Sequence, residues 1–161
     1  MEIEVTECQA ILAAAIAQAS SLGVQVSAAI VDSGGNLKAF LRMDGAEIAG
    51  PTLAVDKAYT AVAHQMATHD LALQAAPGGP LFGLHACAAG RFVIFGGGVP
   101  IFSGGVVVGG VGVSGAAVEQ DVACASAGLA VAEQLLRSRT AAAAGTHNAA
   151  AGARAPALTD L

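Results

Sequence analysis

The sequence has 161 residues, of which 55% are hydrophobic and 12% are charged. Its length fits one domain, and its apolar content is enough for a core, which argues against a fully disordered chain. The net charge is −5, and the sequence has no run of basic residues that could bind a phosphate backbone. Both observations argue against a nucleic-acid partner. Because soluble domains carry about 25% charged residues, the charge-poor composition predicts that subunit contacts bury part of the surface of a homo-oligomer.

The mean hydropathy of +0.64 raises the question of a membrane span. The most apolar stretch, residues 92–113, is interrupted by Pro100 and by repeated glycines, which predicts short strands and turns and no membrane helix. The first residues, MEIEVTECQ, are acidic and lead into an amphipathic pattern, so we expect a cytoplasmic protein. Cys8, Cys87 and Cys124 fit neither a disulfide framework nor a zinc pattern, and we expect reduced, mostly buried thiols.

The first elements predicted are a helix and a hairpin. Residues 6–9, Thr-Glu-Cys-Gln, have the form of a capping box, and apolar residues follow at helical spacing until Gly23. Two alternating runs, 24–32 and 37–43, flank the turn sequence Ser-Gly-Gly-Asn at 33–36. This pattern predicts a β-hairpin.

Two further helices follow in the pattern. Gly50-Pro51 opens a helix to about Met66, and Thr68 is placed to cap a short helix to about Ala75. Three β-rich runs then predict a three-stranded meander: residues 92–95, 101–102 and 106–113.

The last element predicted is a helix that Ser114 can cap, with an apolar stripe that continues to Leu136. We expect one domain over residues 1–137 and a mobile Ala/Gly-rich tail over residues 138–161. The order of the elements predicts an α+β fold with an antiparallel sheet.

The glycine-rich turn at residues 96–100 is one candidate binding element. Its backbone N–H groups can hold an anion, or its glycines can serve tight hairpins and close subunit packing. Lys57 is a cation in an apolar setting, where a substrate carboxylate, a propionate or Asp121 can pair with it. These alternatives stay open in the sequence.

His85 is the candidate acid, base or iron ligand, because it lies in a loop just before a predicted strand. The plainer interpretation is a histidine with no ligand at all. His64 and His69 are five residues apart and do not share a helix face, so no zinc site is predicted. Standard hydrolase motifs are absent, which leaves Lys57, His85, Arg91 and Asp121 as the catalytic candidates.

Five motifs occur in an order typical of one family: Val-Asp-Ser-Gly-Gly at 31–35, Asp-Lys-Ala-Tyr-Thr-Ala at 56–61, Gly-Gly-Gly-Val-Pro at 96–100, Gly-Val-Ser-Gly at 112–115, and Gln120-Asp121. Over residues 3–136 the chain resembles the GlcG/HbpS-like haem-binding family, which is related to the C-terminal domain of PduO-type corrinoid adenosyltransferases. The resemblance implies a profilin-like fold, with an antiparallel five-stranded sheet flanked by helices, and assembly into homo-oligomers.

The resemblance leads to a first functional hypothesis, a haem-binding or other tetrapyrrole-binding accessory protein. Aromatic and apolar walls would cover the macrocycle, Lys57 or Arg91 would meet a propionate, and His85 would ligate the iron. The predicted ligand-binding residues are Lys57, Phe82, Arg91, Phe95, Gly97, Gly98, Val99, Pro100 and Ser114.

A second hypothesis is a catabolic enzyme that acts on an acidic or aromatic metabolite by proton transfer or hydrolysis. Lys57 and Arg91 would then anchor the substrate, and His85 or Asp121 would act as acid and base. A structural or interaction role is the third possibility, because membership of a fold does not decide function.

Overall fold

A computed structural model describes the backbone of residues 2–152 and the side chains of residues 2–143. One antiparallel sheet has the strand order β2-β1-β4-β3, with helices on both faces. This arrangement confirms the predicted α+β class. The elements are α1 (Val5–Ser21), β1 (Ser27–Asp32), β2 (Leu37–Arg42), α2 (Gly50–His64), α3 (Thr68–Ala75), β3 (Gly98–Ser103), β4 (Val106–Ser114) and α4 (Val118–Gly152).

The predicted hairpin is confirmed, with β1 and β2 joined through the turn at residues 33–36. The Asp32 carboxylate accepts the backbone N–H groups of Gly34 and Asn36, each at 2.9 Å. An acidic side chain that bonds to the backbone two and four residues later fixes the turn. The end of α1 is also as predicted, because Gly23 follows it with φ +69°.

The sheet has four strands, so the predicted fifth strand at residues 92–95 is wrong. This segment packs on α2: the Val93 N–H donates to the Thr60 hydroxyl at 3.0 Å, and the Phe92 ring lies against Tyr59 and His64. Its β-rich composition therefore reflects aromatic packing on a helix. The pattern of residue types does not distinguish such a helix-packed segment from a strand.

The glycines of β3 and β4 let α2 lie directly on the sheet. A Cβ on Gly112 would lie 2.0 Å from the Ala54 carbonyl oxygen, and one on Gly98 would lie 2.3 Å from that of Lys57. Gly98 and Gly112 are partners in the β3–β4 register, so they form one patch without side chains. Contact between helix and sheet within one chain therefore explains why Gly98 and Gly112 lack side chains.

The opposite face of the sheet carries the main core, where α1 and α4 pack on the strands. Ile30, Ile101, Val111 and Val113 are buried there with Ile11 of α1. No helix in the described part of the chain is both long enough and apolar enough to cross a bilayer.

Two helix starts differ from the prediction. Helix α1 begins at Val5 and not after Thr6, because the Glu7 carboxylate accepts the backbone N–H of Glu4 at 2.7 Å and so caps the helix earlier. Ser114 does not cap α4; it is the last residue of β4, and α4 begins at Val118.

Helix α4 continues to Gly152, beyond the end predicted at Leu136. Arg139 ties this extension to the start of α1, since its guanidinium lies 3.0 Å from carboxylate oxygens of both Glu4 and Glu7. The helix therefore continues past residue 137, and the domain boundary predicted there stays a prediction. Residues 153–161 lie outside the described part, and the mobility of the tail stays a prediction.

Candidate functional site

A buried ion pair joins α2 to the first turn of α4. The Lys57 Nζ lies 2.7 Å from Asp121 Oδ2, and the two side chains are 0% and 3% exposed. The ammonium also donates to the Val113 carbonyl oxygen at 2.9 Å, and the second oxygen of Asp121 accepts the Ala116 N–H at 3.1 Å. The sequence left three possible partners for Lys57, and in the structure its ammonium contacts one of them, the Asp121 carboxylate.

Burial acts on both ends of this pair. Exclusion of water lowers the pKa of Lys57 and raises the pKa of Asp121, while the contact between them opposes each shift. The contact between the two groups therefore offsets part of the cost of burying each of them.

The glycine-rich turn closes over the Lys57 ammonium. Gly97 has φ +116°, and a Cβ there would lie 2.5 Å from the Val113 carbonyl oxygen and 2.9 Å from the Lys57 Nζ. The Phe95 ring, 39% exposed, covers the ammonium at 4.9 Å from its centroid, a cation–π distance. The Thr68 hydroxyl accepts the Gly98 N–H at 2.9 Å and fixes the other end of the turn.

A second cluster lies on α2 around Arg91. The Arg91 Nε donates to Asp56 Oδ1 at 2.9 Å, and the guanidinium carbon lies 3.6 Å from the centroid of the Tyr59 ring. Tyr59 stacks on Phe92 with the ring centroids 6.1 Å apart, and His64 meets the edge of Phe92 at 4.7 Å. Arg91 is therefore held by a carboxylate at one nitrogen and an aromatic ring at one face.

Phe82 and His85 lie on the segment between α3 and β3, and both are exposed. Phe82 is 65% exposed, although it is a large apolar residue. His85 sits in a short 3-10 helix, Leu84–Ala86, which a second one, Ala88–Gly90, follows. Of the three cysteines, Cys87 is the exposed one.

Val99 and Pro100 line a different place, a cavity of about 440 Å³ between α3, β3 and α4. Ser114 is buried at the end of β4, opposite Ser27 of β1. The predicted site residues therefore occupy several places. Lys57, Asp121, Phe95, Gly97 and Gly98 come together around the ion pair, and Ser114 directly follows Val113, whose carbonyl oxygen accepts from Lys57. Arg91 contacts Asp56 and Tyr59 of α2, Phe82 and His85 lie on the segment between α3 and β3, and Val99 and Pro100 line the cavity.

Sequence reasoning missed Tyr59, Thr60 and Thr68, which hold Arg91, Val93 and Gly98 in place. Tyr59 and Thr60 belong to α2 and Thr68 is the first residue of α3, but single residues of these types carry no recognisable sequence pattern. Among the residues that the structure describes, no group of three His, Cys, Asp or Glu side chains is placed to hold a metal ion.

Comparison with known proteins places this fold in a family. A family model described as haem-degrading protein, HbpS-like, matches residues 3–130. The chain belongs to the HbpS-like family. The family match covers both clusters on α2, the glycine-rich turn and the first turns of α4.

Individual relatives of this HbpS-like chain agree with that assignment. A 15.0 kDa protein encoded between dhaT and dhaS in Citrobacter freundii is 43% identical over 105 residues, which are 65% of this chain and 74% of that protein. The corrinoid adenosyltransferase PduO of Citrobacter freundii is 38% identical over 130 residues, which are 81% of this chain and only 39% of that enzyme. The solved PduOC:haem complex is 37% identical with a TM-score of 0.79, and the match covers 81% of this chain and 95% of that one.

Proposed function

We propose that this protein binds haem or another tetrapyrrole. The observation that carries the proposal is the likeness to the PduOC:haem complex, because it extends over 95% of that chain and 81% of this one. Membership of the HbpS-like family supports the same function. A role as an accessory protein of a catabolic route, and a profilin-like fold, belong to the same proposal.

The exposed residues between Phe82 and Phe95 have the chemistry that a tetrapyrrole requires. Phe82 and Phe95 offer apolar surface at 65% and 39% exposure. Asp56 engages the Nε of Arg91, so within residues 2–143 the terminal nitrogens of its guanidinium have no assigned partner. A guanidinium fork held in this way suits the carboxylate of a propionate.

We assign the iron ligand to His85, whose imidazole is exposed on the same segment as Phe82. When bound, haem would supply an iron centre that an imidazole nitrogen can ligate. In this proposal Lys57 does not bind a propionate. It holds the glycine-rich turn from inside, because its ammonium contacts Asp121 and the backbone of Val113 and is 0% exposed.

The burial of Lys57 and Asp121 also favours binding over the enzyme hypothesis. Substrate anchors and acid–base groups must reach a substrate, whereas these two side chains contact each other. His85 and Arg91 remain accessible, and they support the binding function without further catalytic groups.

Self-association through β2 is part of the proposal. β2 is an edge strand, and Leu37, Phe40 and Leu41 on it are 52%, 38% and 41% exposed. Exposed edge strands with apolar side chains are natural pairing surfaces. Light scattering after size exclusion should give a mass of at least two chains, and Phe40→Glu should lower it.

The test is a haem titration of the purified protein followed at the Soret band. We expect a saturable shift, which His85→Ala moves or removes and which His69→Ala, the matched change at another exposed histidine, leaves in place. Arg91→Ala should weaken binding about fivefold through loss of the propionate contact. An unchanged spectrum for His85→Ala would reject that ligand, and the absence of any saturable shift in the wild type would reject the function.

A further inference from the structure

The cavity beside Val99 and Pro100 is lined by residues other than those assigned to the tetrapyrrole, Phe82, His85, Arg91 and Phe95. It has a volume of about 440 Å³, within the range of small-molecule sites, and none of Phe82, His85 and Arg91 lines it. Helix α3, strand β3 and helix α4 form its walls. Its lining residues are Gln65, Met66, Ala67, His69, Asp70, Val99, Pro100, Phe102, Ser126, Leu129 and Glu133.

The inner part of this cavity is apolar and has an aromatic wall. Val99 and Pro100 are buried beneath it, and Phe102 is 42% exposed at its side. Met66 and Leu129 are partly buried and complete the apolar contact. A flat ring or short alkyl chain can lose its hydration shell against such a surface.

The rim carries negative charge. Asp70 and Glu133 are 59% and 49% exposed, and neither a lysine nor an arginine is among the lining residues. His69 faces Asp70 at 3.7 Å, and Arg137 of α4 lies 3.5 Å from Glu133. The Arg137–Glu133 pair is exposed to water, where such pairs contribute only about 0–1 kcal/mol, so a ligand cation can compete for the Glu133 carboxylate.

We infer that this cavity binds a small aromatic amine in its ammonium form. The ring lies against Pro100, Phe102 and Leu129, and the ammonium group meets the carboxylates of Asp70 and Glu133 at the rim. The charge of the rim disfavours the corresponding carboxylic acids, because both side chains would repel a ligand anion. The net charge of the chain, −5, acts in the same direction at longer range.

Tryptamine is a suitable probe because the chain contains no tryptophan, so indole fluorescence reports the ligand alone. Titration of the full-length protein into tryptamine, followed by fluorescence anisotropy, should give saturable binding with a Kd of about 1 mM or lower. Indole-3-acetate, which has the same ring and an anionic side chain, should bind about tenfold more weakly.

Matched variants locate the site. Glu133→Gln and Asp70→Asn should each weaken tryptamine binding about threefold, whereas Glu119→Gln on the exposed first turn of α4 should not. Ser126→Phe fills the cavity and should abolish saturable binding, while Ala130→Phe, exposed on the same helix outside the lining, should retain it. Equal binding of tryptamine and indole-3-acetate, or full binding by Ser126→Phe, would overturn the inference.

Discussion

The Lys57 ammonium and the Asp121 carboxylate meet at 2.7 Å, although 64 residues separate them in the chain. One belongs to α2 on the glycine face of the sheet, and the other to the first turn of α4 on the opposite face. Their contact therefore joins the two helical layers at the end of the sheet where the glycine-rich turn closes. In this position the buried pair connects the two helical layers. Its loss should therefore lower the free energy of unfolding.

Replacement of either partner should destabilise the fold strongly. Lys57→Met leaves the Asp121 carboxylate buried without its cation, and Asp121→Leu leaves the ammonium alone, each at a cost of about 3–5 kcal/mol in the free energy of unfolding. Denaturant unfolding followed by circular dichroism measures this loss.

The double variant Lys57→Met/Asp121→Leu is the informative control, because it removes both charges together. It should be more stable than either single variant, since no charge is left buried and unpaired. Single variants that lose less than about 1 kcal/mol, or losses that simply add in the double variant, would contradict this role.

The glycine patch under α2 gives a second prediction. Gly112→Ala should cost about 3 kcal/mol or more, because its Cβ would lie 2.0 Å from the Ala54 carbonyl oxygen and 2.6 Å from the Ala58 nitrogen. Gly23→Ala is the reference, since nothing lies within 4 Å of its Cβ and only the positive φ opposes the change, at about 1 kcal/mol. Comparable unfolding midpoints for the two variants would show that α2 does not depend on this close approach.

The thiols should differ sharply in reactivity. Cys87 is exposed, whereas Cys8 and Cys124 are buried and burial raises the pKa of both. Since the thiolate is the reactive form, the native protein should take up one equivalent of iodoacetamide and the denatured protein three. Mass spectrometry gives the count, and Cys87→Ala should reduce the native uptake to none. Rapid modification of Cys124 in the native state would contradict the packing of α4.

Cys124 also predicts a loss of stability at alkaline pH. Burial, with a smaller contribution from Asp121, raises its pKa from 9.0 to about 11. The unfolded thiol ionises above pH 9 while the folded one keeps its proton, so the contribution is complete below pH 9 and is lost as the pH rises towards 11. The loss should amount to about 2 kcal/mol.

Unfolding free energies of the wild type and Cys124→Ala, compared between pH 8 and pH 11, measure this effect. The variant should be less stable at pH 8 because of lost packing, but its stability should fall less steeply with pH. Parallel curves for the two proteins would exclude Cys124 as the source of the alkaline slope.

Local patterns predicted the fold where neighbours in sequence are also neighbours in space. The hairpin followed from alternation around residues 33–36, and α2 from apolar spacing after Gly50. Residues 92–95 were predicted as a strand because aromatic and β-branched residues serve a strand and a helix-packed segment equally well.

The candidate site was harder to predict because the sheet brings its parts together. Asp121 was one of three partners that the sequence left open for Lys57, and the packing of α2 and α4 around the sheet is what brings the two into contact. Glu133 and Asp70 carry no sequence signal for a shared cavity, since their helices approach each other through β3. The spacing of residues along the sequence predicts helix faces and turns, but it does not predict contacts between residues that the sheet brings together.

Specific tetrapyrrole binding can be distinguished from surface adhesion by the transfer of haem to an excess of apomyoglobin. The haem-loaded protein is mixed with apomyoglobin, and the change in the Soret band is followed in time. We expect slow release in a single phase, which is faster for His85→Ala and Arg91→Ala than for His69→Ala and the wild type. Complete transfer within the mixing time for the wild type would show that haem adheres only to exposed apolar surface and that the protein has no specific tetrapyrrole site.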